Sequence, residues 1–223
     1  MTARLGPGQP RKPEGHVPPA THTVRLRSLN RWQAEDLRAD LADLYVESCA
    51  TAPGWEHRGR EEFLRRLAGG IRQPGFAMLA AEAPGLVGCA FGYPVRRDGS
   101  WWSGFRGVLP REVGQLTASG QVFAMTGMVV HPSERNRGLA GRLQERLFAG
   151  RQATLGATLV DRANRAACAG FRSWGWQDIG VVYRPPGPTV LRALVLPLAE
   201  RTAAQAGGPA HHARTQRLKE NQR

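Results

Sequence analysis

Lysine is almost missing from this chain: it occurs only at Lys12 and Lys219. The formal net charge is still +13, so nearly all the positive charge is arginine. Arginine enriched together with Ala, Gly and Pro is the amino-acid bias of a GC-rich genome. The charges are scattered, without a long basic stripe, so nucleic acid is the weaker reading of the excess. A basic field equally helps recruit a small anionic ligand. Long apolar runs are also missing, which excludes a membrane-spanning helix by sequence. The basic N-terminus lacks an apolar segment behind it, so no secretory signal is expected. Cysteine is scarce and odd in number: Cys49, Cys89 and Cys168 lie far apart, with no metal spacing and no disulfide framework. A reducing cytoplasm and no metal are the expectations. Neither common nucleotide loop is present. No Gly-Lys-Ser/Thr ending occurs, and only Gly138 falls at a place matching the dinucleotide fingerprint.

What is there suffices for one folded domain. The chain has 223 residues, 41% of them hydrophobic. Residues 1–21 are Pro/Gly/Arg-rich and read as a disordered tail, 22–198 as the domain, and 199–223 as a basic flexible tail. His22–Leu29 alternates apolar and polar residues and predicts a strand. Asn30 can cap a helix, which Leu37, Leu41, Leu44 and Tyr45 carry to about Ser48. A second helix is expected from about Arg60 to Ile71. Phe76–Glu82 and Leu86–Val95 read as a hairpin around Ala83-Pro84-Gly85. Asp98 to Gly120 reads as an inserted loop with a short helix near Glu112–Thr117. Strands are expected at Gln121–Val130, Ala153–Val160, Gln177–Arg184 and Val190–Pro197. Helices are expected behind Leu139, Leu143 and Leu147 and over Ala163–Trp174.

The most informative stretch is Val129-Val130-His131-Pro132-Ser133-Glu134-Arg135-Asn136-Arg137-Gly138-Leu139-Ala140. It is an apolar strand, a short basic loop, and a glycine opening an amphipathic helix. Free N–H groups at a helix start carry partial positive charge and suit phosphate. Arg135, Arg137 and Arg142 flank the same point, and guanidinium groups suit phosphate too. A second stretch, Asn164-Arg165-Ala166-Ala167-Cys168-Ala169-Gly170-Phe171 with Gly175-Trp176 behind it, follows after one strand.

Arg135-x-x-Gly138-x-Ala140 resembles the acyl-CoA loop of the GNAT superfamily of N-acetyltransferases, whose motif is Gln/Arg-x-x-Gly-x-Gly/Ala. The second stretch is similar to the family's Asn-x-x-Ala-x-x-x-Tyr/Phe, followed by a Gly-aromatic pair. With the order of elements, the resemblance covers roughly His22 to Leu198. The resemblance implies a mixed α/β fold, the GNAT fold: a central mixed twisted sheet of about seven strands flanked by about four helices. It implies acetyl-CoA as co-substrate and transfer of its acetyl group to a primary amine of a small molecule or protein. It places the pantetheine arm along Met128, Val129 and Val130. It places the pyrophosphate at Arg135, Asn136, Arg137, Gly138, Leu139, Ala140 and Gly141, and sets Asn164 and Phe171 beside the arm. Trp101 and Trp102 of the inserted loop are candidate acceptor-site residues, with loop packing as the equal alternative. A bulge at Gly127 is expected to splay the strand.

The usual acid–base groups are absent. The strand glutamate of many relatives corresponds to Gly127, and the helix tyrosine to Phe171. No catalytic residue follows from the sequence. Asp161 reads first as a cap, Tyr183 as a strand tyrosine and His131 as a loop histidine. The alternative is therefore a degenerate GNAT domain that binds acyl-CoA or a partner without turnover. A monomer or a homodimer fits either reading.

Overall fold

Asn30 sets the first boundary. Its side chain accepts the Gln33 N–H at 2.9 Å, and the Gln33 side chain accepts the Asn30 N–H at 3.0 Å. This reciprocal cap starts a helix where strand β1 (Arg25–Leu29) stops. The computed structural model describes residues 23–49, 55–184 and 189–198; both expected tails lie outside that range. The single helix expected after Asn30 is two, α1 (Arg31–Asp36) and α2 (Arg38–Cys49). Leu37 between them sits at φ −88°, ψ 6°. Its N–H still reaches Gln33 C=O at 3.1 Å and its C=O accepts Leu41 N–H at 2.9 Å, so the break is a kink. Helix α3 (Trp55–Ile71) follows.

The rest of the chain comprises β2 (Ala77–Ala83), β3 (Gly85–Pro94), α4 (Arg111–Ala118), β4 (Val122–Val130), α5 (Leu139–Phe148), β5 (Leu155–Asp161), α6 (Arg165–Ser173), β6 (Gln177–Arg184) and β7 (Thr189–Pro197). The strands form one seven-stranded sheet in the order β1-β2-β3-β4-β5-β7-β6. All neighbours are antiparallel except β4 and β5, which run parallel and are joined by α5.

Strand alternation loads both faces. One face buries Leu79, Ala90, Phe123, Met125, Leu194 and Leu196 against α5 and α6. Leu139, Leu143 and Leu147 recur at helical spacing on α5 and are buried there, each burial contributing about 1.5–3 kcal/mol. Trp176 joins this core with its polar end satisfied: Nε1 donates to Gln144 Oε1 at 2.7 Å, both residues being buried. The opposite face carries two clusters. Met78, Ala80, Cys89, Phe91 and Val129 pack under α1, α2 and α3. Val122, Ala124, Leu155, Ala157, Val182, Ala193 and Val195 pack under the inserted segment between β3 and β4, through Trp102, Val113 and Leu116.

That insertion is more ordered than its poor periodicity suggests. Asp98 accepts the Ser100 hydroxyl at 2.6 Å, the Ser100 N–H at 3.0 Å and Arg96 Nε at 2.8 Å. These bonds hold the Asp98 carboxyl down at a pKa of about 2, the Ser100 hydroxyl being the largest cause. Farther along, the segment runs antiparallel to β6, with Phe105 opposite Val182. Tyr183 N–H donates to Gly104 C=O at 3.0 Å and Arg106 N–H to Val181 C=O at 2.9 Å.

Candidate active site

The centre of the sheet is where two paired strands part. β4 and β5 pair only through Val122–Leu155, Phe123–Gly156 and Ala124–Ala157. Beyond that point β4 continues to Val130 and β5 to Asp161 without pairing to each other. The β4 edge facing β5 is therefore open from Met125 to Val130, while its other edge stays bonded to β3 as far as Val130–Gly88. The cause lies next to the fork. Phe91 opposes Gly127 and Gly92 opposes Met125, so Thr126 is the extra residue of a β-bulge. The bulge expected at Gly127 thus lies one residue earlier. The Thr126 hydroxyl is buried with no hydrogen-bond partner among the described residues.

Gly127 has a separate reason to be glycine. A Cβ there would overlap Cε1 and Cζ of the Phe91 ring and lie 2.9 Å from its Cδ1. Phe91 is fully buried between Phe63, at 6.1 Å between centroids, and Phe76, at 6.2 Å. The space that a strand glutamate would occupy is filled by an aromatic ring.

At the top of β4 the chain turns through a 3-10 helical turn (Pro132–Glu134), opened by His131. His131 Nδ1 lies 2.7 Å from the Ser133 hydroxyl, and its Nε2 is 3.7 Å from Glu47. It is a loop-capping histidine. Asn136 then takes a left-handed backbone, φ 60°, and Gly138 another, φ 75°. These two residues bend the chain so that α5 starts without a side-chain cap. The first bond of α5 runs from Arg142 N–H to Gly138 C=O at 3.1 Å, leaving the Leu139, Ala140 and Gly141 N–H groups as the unpaired first turn. Among the described residues, nothing beyond the chain neighbours and the helix's own backbone lies within 4 Å of where a Cβ on Gly138 or Gly141 would stand. Open space, free donors and the positive end of a helix dipole meet at one point, which fits a phosphate group.

The flanking arginines are less free than the sequence suggests. Arg135 Nη2 donates to the Ser48 carbonyl of α2, Arg142 Nη2 donates to the Val24 carbonyl at 3.0 Å, and Arg137 pairs with Glu134 at 3.3 Å. Two of the three staple the loop to other elements. Leu139 turns its side chain into the core, so only its backbone faces the loop.

In the second motif, Asn164 Oδ1 accepts the Ala167 N–H at 3.0 Å and caps α6. Phe171 is buried edge-on against Trp174 and Trp176, at 5.5 and 5.3 Å. Asp161 accepts the Ala163 N–H at 2.8 Å within the turn that precedes α6, so it is a turn carboxylate and not a helix cap. Tyr183 is exposed, with Arg106 4.6 Å from its ring centroid.

The two tryptophans separate. Trp102 is buried, and its Nε1 donates to Thr117 Oγ1 at 2.9 Å, so it pins α4 to the sheet and offers no face to a ligand. Trp101 is half-buried, edge-on to Tyr93 at 6.0 Å, and its carbonyl accepts Arg184 Nη2 at 2.5 Å. Its Nε1 is buried without a partner among the described residues. Tyr93 lies opposite Ala124, at the foot of the fork, and burial pushes its hydroxyl pKa up against a smaller lowering by Arg184. Sequence reasoning passes over Tyr93 because it stands in an ordinary apolar strand; only the pairing brings it to the fork.

No protein-family model matches the sequence, and no curated protein matches it. Solved structures do. The PaiA N-acetyltransferase from Thermoplasma acidophilum, solved with coenzyme A, superposes with a TM-score of 0.53 at 10% identity, over 79% of this chain and 99% of that one. An acetyltransferase from Thermus thermophilus gives 0.51 at 16% identity, over 80% and 100%. The loading GNATL domain of CurA from Lyngbya majuscula gives 0.53 at 14% identity, over 80% and 100%. The fold of this chain is the one these structures share, the GNAT fold that the resemblance implies. No described helix is long and apolar enough to cross a membrane.

Proposed function

We propose that this chain is an acetyl-CoA-dependent N-acetyltransferase whose acyl-CoA site is the fork between β4 and β5. One observation carries the reading: β4 stops pairing with β5 beside the Thr126 bulge, and the same strand runs into a helix start with free N–H groups and open space. Acetyl-CoA supplies an activated acyl group. The open edge of β4 at Met128, Val129 and Val130 offers backbone N–H and C=O groups to pair the pantetheine arm as another strand does. A β4 N–H in the fork donates to the thioester carbonyl oxygen, where negative charge develops during attack. The N–H groups of Leu139, Ala140 and Gly141 hold the pyrophosphate, with Arg137 beside them. Asn164 keeps its amide N–H groups for the arm while its oxygen caps α6. The acceptor is a primary amine of a small molecule or protein, entering between the α1–α3 layer and the insertion.

Rate then comes from positioning and oxyanion stabilisation, because Gly127 and Phe171 leave no strong base or acid at the usual places. That same fact favours a second reading, a domain that binds acyl-CoA without turnover. Calorimetric titration of the purified chain with CoA tests the shared premise: saturable binding is expected, and its absence rejects both readings. Thiol release from acetyl-CoA across a broad amine panel then separates them. Release above background establishes transfer; none with any amine leaves the binding domain.

A further inference from the structure

The acyl-CoA reading leaves one charged feature of the fold unused. Two confluent recesses, of about 520 and 360 Å³, lie along α6 and share Arg162 and Arg165. The first is walled by Asp161, Ala163, Thr189 and Val190, the second by Cys168, Arg172 and Arg192. None of these walls comes from β4, from the Arg135–Ala140 loop or from α5.

Local bonds hold the walls in place. Arg162 N–H donates to Val190 C=O at 3.0 Å, tying the turn after β5 to β7. Arg165 and Arg172 stand seven positions apart on α6, on the stripe that also holds Cys168. Arg172 Nη2 and Arg192 Nη1 both donate to Oδ2 of Asp178, each at 3.1 Å. The other oxygen of Asp178 accepts the Gly180 N–H at 3.2 Å. One carboxylate thus aligns two guanidinium groups. Arg162 and Arg165 have no side-chain bond or ion pair with any described residue. Four guanidinium groups therefore face two carboxylates, Asp161 and Asp178, and the Asp161 carboxylate is committed to the Ala163 N–H. Like charges repel, and of the four only Arg172 and Arg192 are offset by a carboxylate partner.

We propose that this recess is a binding site for a small molecule bearing a phosphate group, separate from the fork and its pyrophosphate loop. A phosphomonoester carries a charge of about −1.5 to −2, which matches the excess of the walls. Its three terminal oxygens suit several guanidinium forks at once, whereas a lone carboxylate suits one. Asp161, one of its walls, is the last residue of β5.

The probe is inorganic phosphate, titrated calorimetrically into the full chain with and without saturating CoA, and acetate serves as the monoanion control. With CoA saturating, and so filling the loop that also suits phosphate, phosphate is expected to bind at one site, the recess, while acetate fails to displace it. Arg162→Ala with Arg165→Ala should weaken phosphate by about tenfold or more, and Arg137→Ala, at the other site, should leave it unchanged. If the double variant does not fold, Arg165→Gln gives the same reading. Three results overturn the proposal: no phosphate binding, equal binding by the double or Arg165→Gln variant with CoA saturating, or loss of every bound phosphate when CoA is added. The titration without CoA does not depend on acyl-CoA binding, so its failure is distinct from failure of the acetyltransferase reading.

Discussion

Replacing Gly127 by alanine isolates the contact between this position and the Phe91 ring. Gly127 is not among the residues with a left-handed backbone, so its conformation suits an alanine. On backbone grounds alone, Gly127→Ala should stabilise the fold by ~0.4–1 kcal/mol, because alanine has less freedom to lose on folding. The Phe91 ring reverses that sign. The new methyl would overlap two ring carbons and lie 2.9 Å from a third, inside the usual carbon–carbon separation of about 3.5–4.0 Å. The ring cannot retreat freely, since Phe63 and Phe76 flank it and it is fully buried. Overpacking of this kind costs about 1–3 kcal/mol. The expected net is a loss of roughly 1–2 kcal/mol, or about 2–8 °C in melting temperature for a chain of this size. Urea unfolding of four proteins closes the cycle: wild type, Gly127→Ala, Phe91→Val and the double variant. Phe91→Val carries its own cavity cost, but with the ring gone the alanine should become neutral or stabilising. A Gly127→Ala penalty of equal size in both backgrounds would refute the reasoning, as would a stabilised single variant.

Three further predictions rest on single contacts. Trp176→Phe deletes the donor to Gln144 and leaves a buried amide oxygen unpaired, so unfolding free energy should fall by about 1–3 kcal/mol. A loss below measurement error would show that Gln144 finds another donor. Gly138→Ala places a side chain at φ 75°, costing about 1–2 kcal/mol of stability, and sets a methyl in the open space over the α5 donors. CoA binding should weaken with it, and unchanged CoA affinity in calorimetry would remove that helix start from the site. Asp98 should titrate by carbon NMR with a midpoint of about 2, moving toward about 3.9 in Ser100→Ala. Its folded pKa is depressed, so its contribution to stability is present above the ordinary carboxylate range and is lost as pH falls through about 2.

Elements with a strict period are readable in the sequence. Leu139, Leu143 and Leu147 mark α5, and alternating residues mark the strands, because burial enforces those spacings locally. The strand-loop-glycine-helix order likewise marks the helix start at Gly138. What stays hidden depends on partners distant along the chain. Arg135 and Arg142 read as free anion binders, yet their acceptors lie at Ser48 and Val24, and no local pattern announces them. Trp102 and Trp101 look alike in sequence; only the Thr117 hydroxyl decides which is packed away. The bulge at Thr126 follows from the register against β3, which hydrophobic alternation does not encode to within one residue. The arginines along α6 read as scattered charge, and become a cluster only when β7 brings Arg192 beside them.

The strip of the insertion bonded to β6 also bears on self-association. β6 is the last strand of the sheet, and such a strand ordinarily presents a row of bare backbone groups to any other chain. Here Gly104, Phe105 and Arg106 already occupy that row along Val181–Tyr183. The Phe105 ring stands where a side chain on Gly180 would begin, 2.8 Å from that Cβ position. A second copy seeking to extend the sheet across this stretch would first have to peel off a strip held by backbone bonds and a seated aromatic ring.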